Sequence, residues 1–299
     1  MKKAILSIVS YLANHGLLST ITIAKLRFLY ECHKWPNFKN PKDYNEKINY
    51  IKFYTDTSKW IELSDKYAVR SYIERIGLGA HLVKLYGKWD RVEDVNWDNL
   101  PEQFVMKGNG GSGDVVICRD KSKLDKVKTM EYFSKILKTP FGIISAEPHY
   151  AKIKPCIIAE ELLDASSQPC NSSSLIDYKI YCFDGKPTYT WCCYNRHKYH
   201  ANVGTYDMNW QYHPEYSVFT SHYLKSSNLV PKPKCFNEMM EIASKISKGF
   251  PTLRVDLYEV NGKVYFGEMT FAASAGFVNF HTQEFLDILG DLIILPKDQ

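Results

Sequence analysis

Along the first sixty residues apolar positions recur at mixed three- and four-residue intervals, among them Leu6, Val9, Leu12, Leu26, Leu29 and Tyr30. That is the spacing of helices that bury one face. The stretch WPNFKNPKDYN breaks the pattern at Pro36 and Pro41, because proline lacks the amide hydrogen a helix interior needs. From Ile61 onward, ELSDKYAVRSYIERIGLG predicts one helix closed by Gly77 or Gly79, and HLVKLYG predicts a strand after it. FVMK and DVVICR predict two further strands, followed by a helix over residues 122–138.

Strand patterns dominate the second half. PCIIAEELL is followed by IDYKIYCF, which turns at Asp184-Gly185 into PTYTWCCYN, and TLRVDLYEV turns at Asn261-Gly262 into KVYFGEMTF. KCFNEMMEIASKIS, residues 234–247, predicts a helix between the last two hairpins. Hairpins of this kind predict antiparallel sheets in an α+β protein.

Composition narrows the class. With 299 residues, 45% hydrophobic and 24% charged, the chain has enough apolar surface for one large or two modest globular domains. Its net charge of +5 is spread without a run of five basic residues, which argues against a nucleic-acid partner and suits small anionic ligands. Eight cysteines, with Cys192 and Cys193 adjacent, show no C-x-x-C spacing, so free thiols in a reducing cytoplasm are expected. The opening MKKAILSIVSYLANHGLLST resembles a signal peptide only superficially, since Asn14 and His15 interrupt it and no small-residue cleavage site follows. An amphipathic helix lying on the body of the protein or on a membrane surface is expected there.

The chemistry centres on two stretches. GNGGSG at 108–113 fits G-x-G-x-x-G, but DVVIC after it is β-branched and reads as a strand. A dinucleotide fingerprint needs a helix at that point, so the loop is expected to join two strands and fold over phosphates. The kinase form G-x-G-x-x-G-x-V is satisfied too, yet V-A-I-K, H-R-D and D-F-G are absent and the lysine, Lys107, precedes the glycines. In LRVDLYEVNGKVYFGEMTF, Asp256 and Glu268 could hold a metal only from one face. A two-residue Asn261-Gly262 turn would separate them, whereas a three-residue turn from Val260 to Gly262 sets Arg254 opposite Glu268 with Asp256 diagonal to it. The residue pattern favours the three-residue turn: Leu253, Val255, Leu257, Tyr265, Met269 and Phe271 then share an apolar face, and Arg254, Asp256, Glu268 and Thr270 share the other. Oxygen ligands of this kind suit Mg²⁺.

With these motifs together, the chain resembles the ATP-grasp superfamily, and is most similar to its TupA-like branch, associated with surface-polysaccharide gene clusters. The similarity runs from NPKDYNEKINYIKFYTD through SDKYAVRSYI, FVMKGNGGSGD, IDYKIYCFDGKP and YDMNW to RVDLYEVNGKVYFGEMTF. It implies an ATP-grasp fold of two α+β subdomains, 61–160 and 161–299, behind a helical region over 1–60. It further implies that Lys66, Lys107 and Lys179 face the phosphates of ATP, with Gly108, Gly110, Gly111, Ser112 and Gly113 as their cover. Glu160, Glu161, Leu162 and Leu163 would form the adenine hinge. Asp256 and Glu268 would hold Mg²⁺, with Thr270 standing where the family's usual E-x-N has asparagine, and Arg254 would meet the transferred phosphoryl group.

The implied activity is carboxylate-amine ligation, with an acidic sugar as acid and an amino acid or amino sugar as amine, in capsule or O-antigen assembly. The enzyme is then expected in the cytoplasm, peripheral to the inner face of the membrane and its glycan machinery. Arg196, His197, Lys198 and His200 in YNRHKYHANVGTYD are candidate acceptor contacts, mixing cations with aromatic rings. A glycosyltransferase, a sugar kinase using the same ATP residues, and a non-catalytic nucleotide-binding module are the rival readings. No D-x-D supports the first.

Overall fold

The computed structural model describes residues 12–13, 15–139, 141–225 and 228–296. In chain order the main elements are α1 (Thr20–Cys32), α2 (Tyr44–Tyr54), α3 (Ser58–Ser64), α4 (Val69–Arg75), β1 (Leu85–Trp89), β2 (Phe104–Gly108), β3 (Val115–Cys118), α5 (Lys126–Lys138), β4 (Ile157–Glu160), β5 (Asp177–Phe183), β6 (Lys186–Tyr194), β7 (Ala201–Asp207), β8 (Tyr223–Lys225), α6 (Phe236–Ser247), β9 (Leu253–Val260), β10 (Lys263–Thr270) and α7 (Gln283–Asp291). The amphipathic helix expected at the start falls largely on residues outside the described set. Among the described residues no helix is long and apolar enough to cross a membrane.

The chain divides into two compact units. The first comprises residues 1–23, 57–74 and 82–163 and carries a four-stranded antiparallel sheet in the order β1-β4-β2-β3. Because side chains alternate across a strand, Phe104 and Met106 of β2 enter the core with Ile157 and Ala159 of β4 and Phe133 of α5, while Val105 and Lys107 share the opposite face. Asp125 starts α5 by accepting the amide of Lys128.

The single helix expected from Ile61 to Gly77 is instead two short ones. Asp65 ends α3, and its Oδ1 accepts the amides of Tyr67 and Ala68; this local competition with helical hydrogen bonding breaks the run. Gly77, at φ +73°, follows the end of α4. The strand expected over HLVKLYG begins only at Leu85, and the one over PCIIAEELL ends at Glu160.

The second unit comprises residues 24–56, 75–81 and 164–299. Its six-stranded sheet runs β10-β9-β5-β6-β7-β8, antiparallel except for the β7–β8 pair. Strand β7 lies within a stretch whose sequence pattern predicts no strand. Helix α6 packs across β5, β6 and β9 through Phe236, Met239, Ile242, Ala243 and Ile246, the recurrence expected of a one-sided apolar face.

The β9–β10 register corrects the sequence expectation. Val260 pairs with Lys263 across a two-residue turn, with Asn261 at φ 53° and Gly262 at φ 74°, as a type I′ hairpin requires. A bulge at Gly267 then resets the pairing so that Glu268 opposes Asp256 and Thr270 opposes Arg254. The acids therefore share a face, but through a bulge rather than a three-residue turn. Tyr265 opposes Tyr258 on the polar side, and Phe266, opposite Leu257, takes the buried place assigned to it.

Candidate functional site

In the first unit, the glycine loop joins β2 to β3 as a hairpin, closed by the Gly108 amide donating to the Asp114 carbonyl at 3.1 Å. Gly111 has φ +82°, and a Cβ there would stand 2.9 Å from the Phe141 ring, so both conformation and space require glycine. Ser112 and Gly113 are exposed. Asn109, only 1% exposed, anchors the base of the loop: its Nδ2 donates to Asp65 Oδ2 at 2.8 Å and to the Lys154 carbonyl at 3.0 Å, and its Oδ1 accepts the Cys156 amide at 2.7 Å. Lys66, next to that turn, donates from Nζ to the Gly111 carbonyl at 2.6 Å, so it touches the loop directly.

Lys107 lies on the face of β2 away from the core and donates to Glu160 Oε2 at 2.8 Å. Glu160 is also paired: Arg70 of α4 donates to its Oε1 at 3.1 Å and to the Val83 carbonyl at 2.8 Å. The Glu160 carboxylate is thus committed to two cations. Beyond it, Glu161, Leu162 and Leu163 are half-buried, and the Glu161 amide donates to the Lys84 carbonyl at 2.9 Å.

In the second unit, Lys179, Asp256 and Glu268 form one cross-strand row over β5, β9 and β10, with Tyr181, Arg254 and Thr270 as the next. Arg254 donates from Nε to Asp256 Oδ1 at 2.7 Å and from its NH2 group to Oδ2 at 2.8 Å. Lys179 also donates to Asp256 Oδ2, and pairs with Asp177 Oδ2 at 2.6 Å. Asp256 is 1% exposed. Burial pushes its carboxyl upward, but Arg254 and Lys179 outweigh burial and hold it below the usual carboxylate value. Burial likewise opposes the charge on Lys179, yet Asp177 and Asp256 hold its pKa above that of an ordinary lysine. All three groups are therefore charged at neutral pH.

Glu268 is more open, with 38% of its side chain exposed. It lies 3.5 Å from the Arg254 guanidinium and 3.2 Å from Thr270 Oγ1. Thr270 thereby stands beside Glu268, although it also accepts from Arg254 at 3.1 Å.

Sequence reasoning missed Asp177 and Arg70. Asp177 lies on the same face of β5 as Lys179, and its buried Oδ1 has no hydrogen-bond partner among the described residues, whereas its Oδ2 accepts from Arg196 at 3.0 Å. The alternation in DYKIY was the available signal, because an acid two residues before a buried lysine shares its face. The four acceptor candidates separate accordingly. Arg196 pairs with Asp177, while the His197 and His200 rings lie 4.8 Å apart, tilted by 38°, and Lys198 lies over Tyr199.

These residues can be tested against Mg²⁺ by their donor chemistry. Among the described residues no cluster of three or more His, Cys, Asp or Glu makes a ready-made metal cage. Magnesium, however, is usually held by one or two carboxylates together with substrate phosphates. Glu268, open and only loosely paired, fits that pattern, whereas Asp256 opposite it would do so only with an oxygen released by Arg254 or Lys179. Lys179, Arg196 and Arg254 formally balance Asp177, Asp256 and Glu268, so an added divalent cation would make the cluster attractive to a polyanion.

Solved structures similar to the chain include D-alanine–D-alanine ligase from Bacillus anthracis, at 16% identity and TM-score 0.41 over 70% of this chain and 57% of that one. They also include the ATP-grasp ligase PsnB in complex with its minimal precursor, at 12% and 0.41 over 80% and 61%. Phosphoribosylamine–glycine ligase from Thermotoga maritima follows at 12% and 0.40 over 73% and 52%. The chain thus spans less than two thirds of the length of each. No curated protein matches it. The model of the TupA-like ATP-grasp family matches residues 46–294, and the chain belongs to that family.

Proposed function

We propose that the protein is an ATP-dependent carboxylate-amine ligase acting on an acidic sugar in capsular polysaccharide or O-antigen assembly. In this reading residues 61–160 and 161–299 are the ATP-grasp subdomains and 1–60 a helical addition. A carboxylate oxygen attacks the γ-phosphorus of ATP as the bond to ADP breaks; an amine nitrogen then attacks the acyl carbon, phosphate leaves, and the nitrogen loses a proton. The products are an amide, ADP and phosphate.

The observation that carries the reading is the buried Lys179–Asp256–Arg254 cluster. Lys179 and Arg254, held in fixed positions away from water by Asp256, are preorganised cationic donors, and such donors are most effective where a phosphoryl group transfers. Family membership and the Lys66- and Lys107-flanked glycine loop support ATP as the donor. Lys66, Lys107 and Lys179 would contact phosphates beneath Gly108–Gly113, and the backbone of 160–163 would meet adenine. Because its carboxylate is already paired, Glu160 would act on Lys107 rather than on the base. Magnesium, held by Glu268 and Asp256 with Thr270 beside them, would neutralise phosphate charge when bound. Arg254 would hold the transferred phosphoryl group. Arg196 would orient the acceptor carboxylate, with His197, Lys198 and His200 towards the remainder of the sugar.

Incubating the purified protein with Mg-ATP, a uronic acid and an amino acid or amino sugar should release ADP and phosphate in step with a new amide mass. Phosphate retained on the sugar, or modification of the glycan without ATP consumption, would overturn ligation in favour of a kinase or a glycosyltransferase.

A further inference from the structure

We propose that Arg70 is a positioning residue for nucleotide binding, keeping the charge of Lys107 available by sharing the Glu160 carboxylate. The inference rests on the reading of Lys107 as a phosphate contact. Glu160 opposes Val105 on β2, and Lys107 opposes Ile158 on β4, so Glu160 and Lys107 are diagonal neighbours on one face. The Glu160 side chain is 9% exposed, against 29% for Lys107. Its two oxygens are divided, one to Lys107 and the other to Arg70. Arg70 is in turn fixed by its bond to the Val83 carbonyl, which holds the guanidinium at the ends of β1 and β4.

The consequence is electrostatic. A carboxylate removed from water must be neutralised by its neighbours. With Arg70 in place, two cations share that burden and Lys107 keeps net positive charge for an incoming anion. Without Arg70 the whole of the Glu160 charge falls on Lys107, and a phosphate must compete with a buried carboxylate for the same ammonium group. Arg70 therefore affects triphosphate affinity without touching the nucleotide, and its effect requires the charge of Glu160.

Calorimetric titration of the full chain with AMPPNP and Mg²⁺, and separately with adenosine, tests this. Arg70→Met should weaken AMPPNP binding roughly ten- to a hundredfold, as loss of an orienting partner does elsewhere, and leave adenosine within about twofold. In a Glu160→Gln background the same substitution should cost less than about threefold, because the charge being shared is gone. Equal losses for AMPPNP and adenosine, or an undiminished loss in the Glu160→Gln background, would overturn the inference and leave Arg70 a clamp on Val83. Should the methionine variant not fold, Arg70→Lys carries the test. Retention of AMPPNP affinity within about threefold supports charge sharing, and a loss matching that of Lys107→Ala overturns it. Wild-type protein that fails to bind AMPPNP would remove the nucleotide reading itself; wild-type binding with no Arg70→Met effect removes only this inference.

Discussion

His281 sits 3% exposed between two partners that fix its tautomer. Its Nδ1 faces the Tyr216 carbonyl at 3.2 Å and so must carry the proton, which leaves Nε2 to accept the Tyr181 hydroxyl at 2.9 Å. Burial pushes its pKa down to about 3 from 6.5, more than the Tyr216 carbonyl can raise it. The native fold thus excludes a proton that the unfolded chain binds. The stabilising effect of the neutral ring is complete above pH 6.5 and is lost progressively as pH falls towards 3. At pH 5 the loss is about 2 kcal/mol for an unfolded histidine of ordinary pKa. Urea midpoints measured at pH 7 and pH 5 should fall for the wild type, and His281→Gln should flatten that difference even if it lowers both values. An equal pH slope in the two proteins would show that the destabilising proton binds elsewhere.

At the scale of elements, the β9–β10 hairpin shows how much of the site was legible in the sequence. The four polar residues Arg254, Asp256, Glu268 and Thr270 were identified as one face, and they do share it. The register differs from the expected one because a two-residue turn followed by a bulge brings the acids to one face just as a three-residue turn would. Gly267 was the overlooked signal, since a glycine inside a strand pattern marks a bulge. Likewise the pattern of IERIGLG announces the end of α4, but the competition of the Asp65 carboxylate for nearby amides, which splits the expected helix, depends on side-chain orientation that periodicity does not carry. Strand β7 escapes because Ala201, Asn202, Gly204 and Asp207 interrupt the strand-forming Val203, Thr205 and Tyr206; its pairing with β6 decides its conformation. The bulge leads to a direct expectation. A Cβ at Gly267 would come within 2.9 Å of the Asp256 carbonyl and 3.0 Å of the Tyr258 ring, contacts that backbone cannot easily relieve. Gly267→Ala should cost about 1–3 kcal/mol, the range for overpacking, visible as a lowered urea midpoint. A variant as stable as the wild type would mean that the bulge does not constrain this position.

At the scale of the whole chain, the second unit is assembled from both ends of the sequence. Lys47 and Lys52 of α2 donate to the carbonyls of Gly290 and Ala275, and Asn49 donates to Gly276. Gly276, at φ +81°, leaves no room for a Cβ beside the Asn49 amide, which would lie 2.6 Å away. Most telling is Asn45, 1% exposed, whose Oδ1 accepts the Val278 amide at 2.9 Å and whose Nδ2 donates to the Val278 carbonyl at 2.8 Å. One side chain thus serves both backbone groups of a residue 233 positions later. No local pattern in the sequence reveals such a pairing, because Asn45 reads there only as a polar residue near a helix start. Since buried donors and acceptors are costly to leave unpaired, Asn45→Ala should strand two backbone groups and cost roughly 2–4 kcal/mol. The loss should be specific in place as well as in size. Native-state hydrogen exchange should show the Val278 amide losing protection along with α2 and α7, while amides of the four-stranded sheet, Phe104–Gly108 among them, exchange as in the wild type. Uniform loss of protection through both units would instead mean that the two ends of the chain hold the entire molecule together rather than the second unit alone.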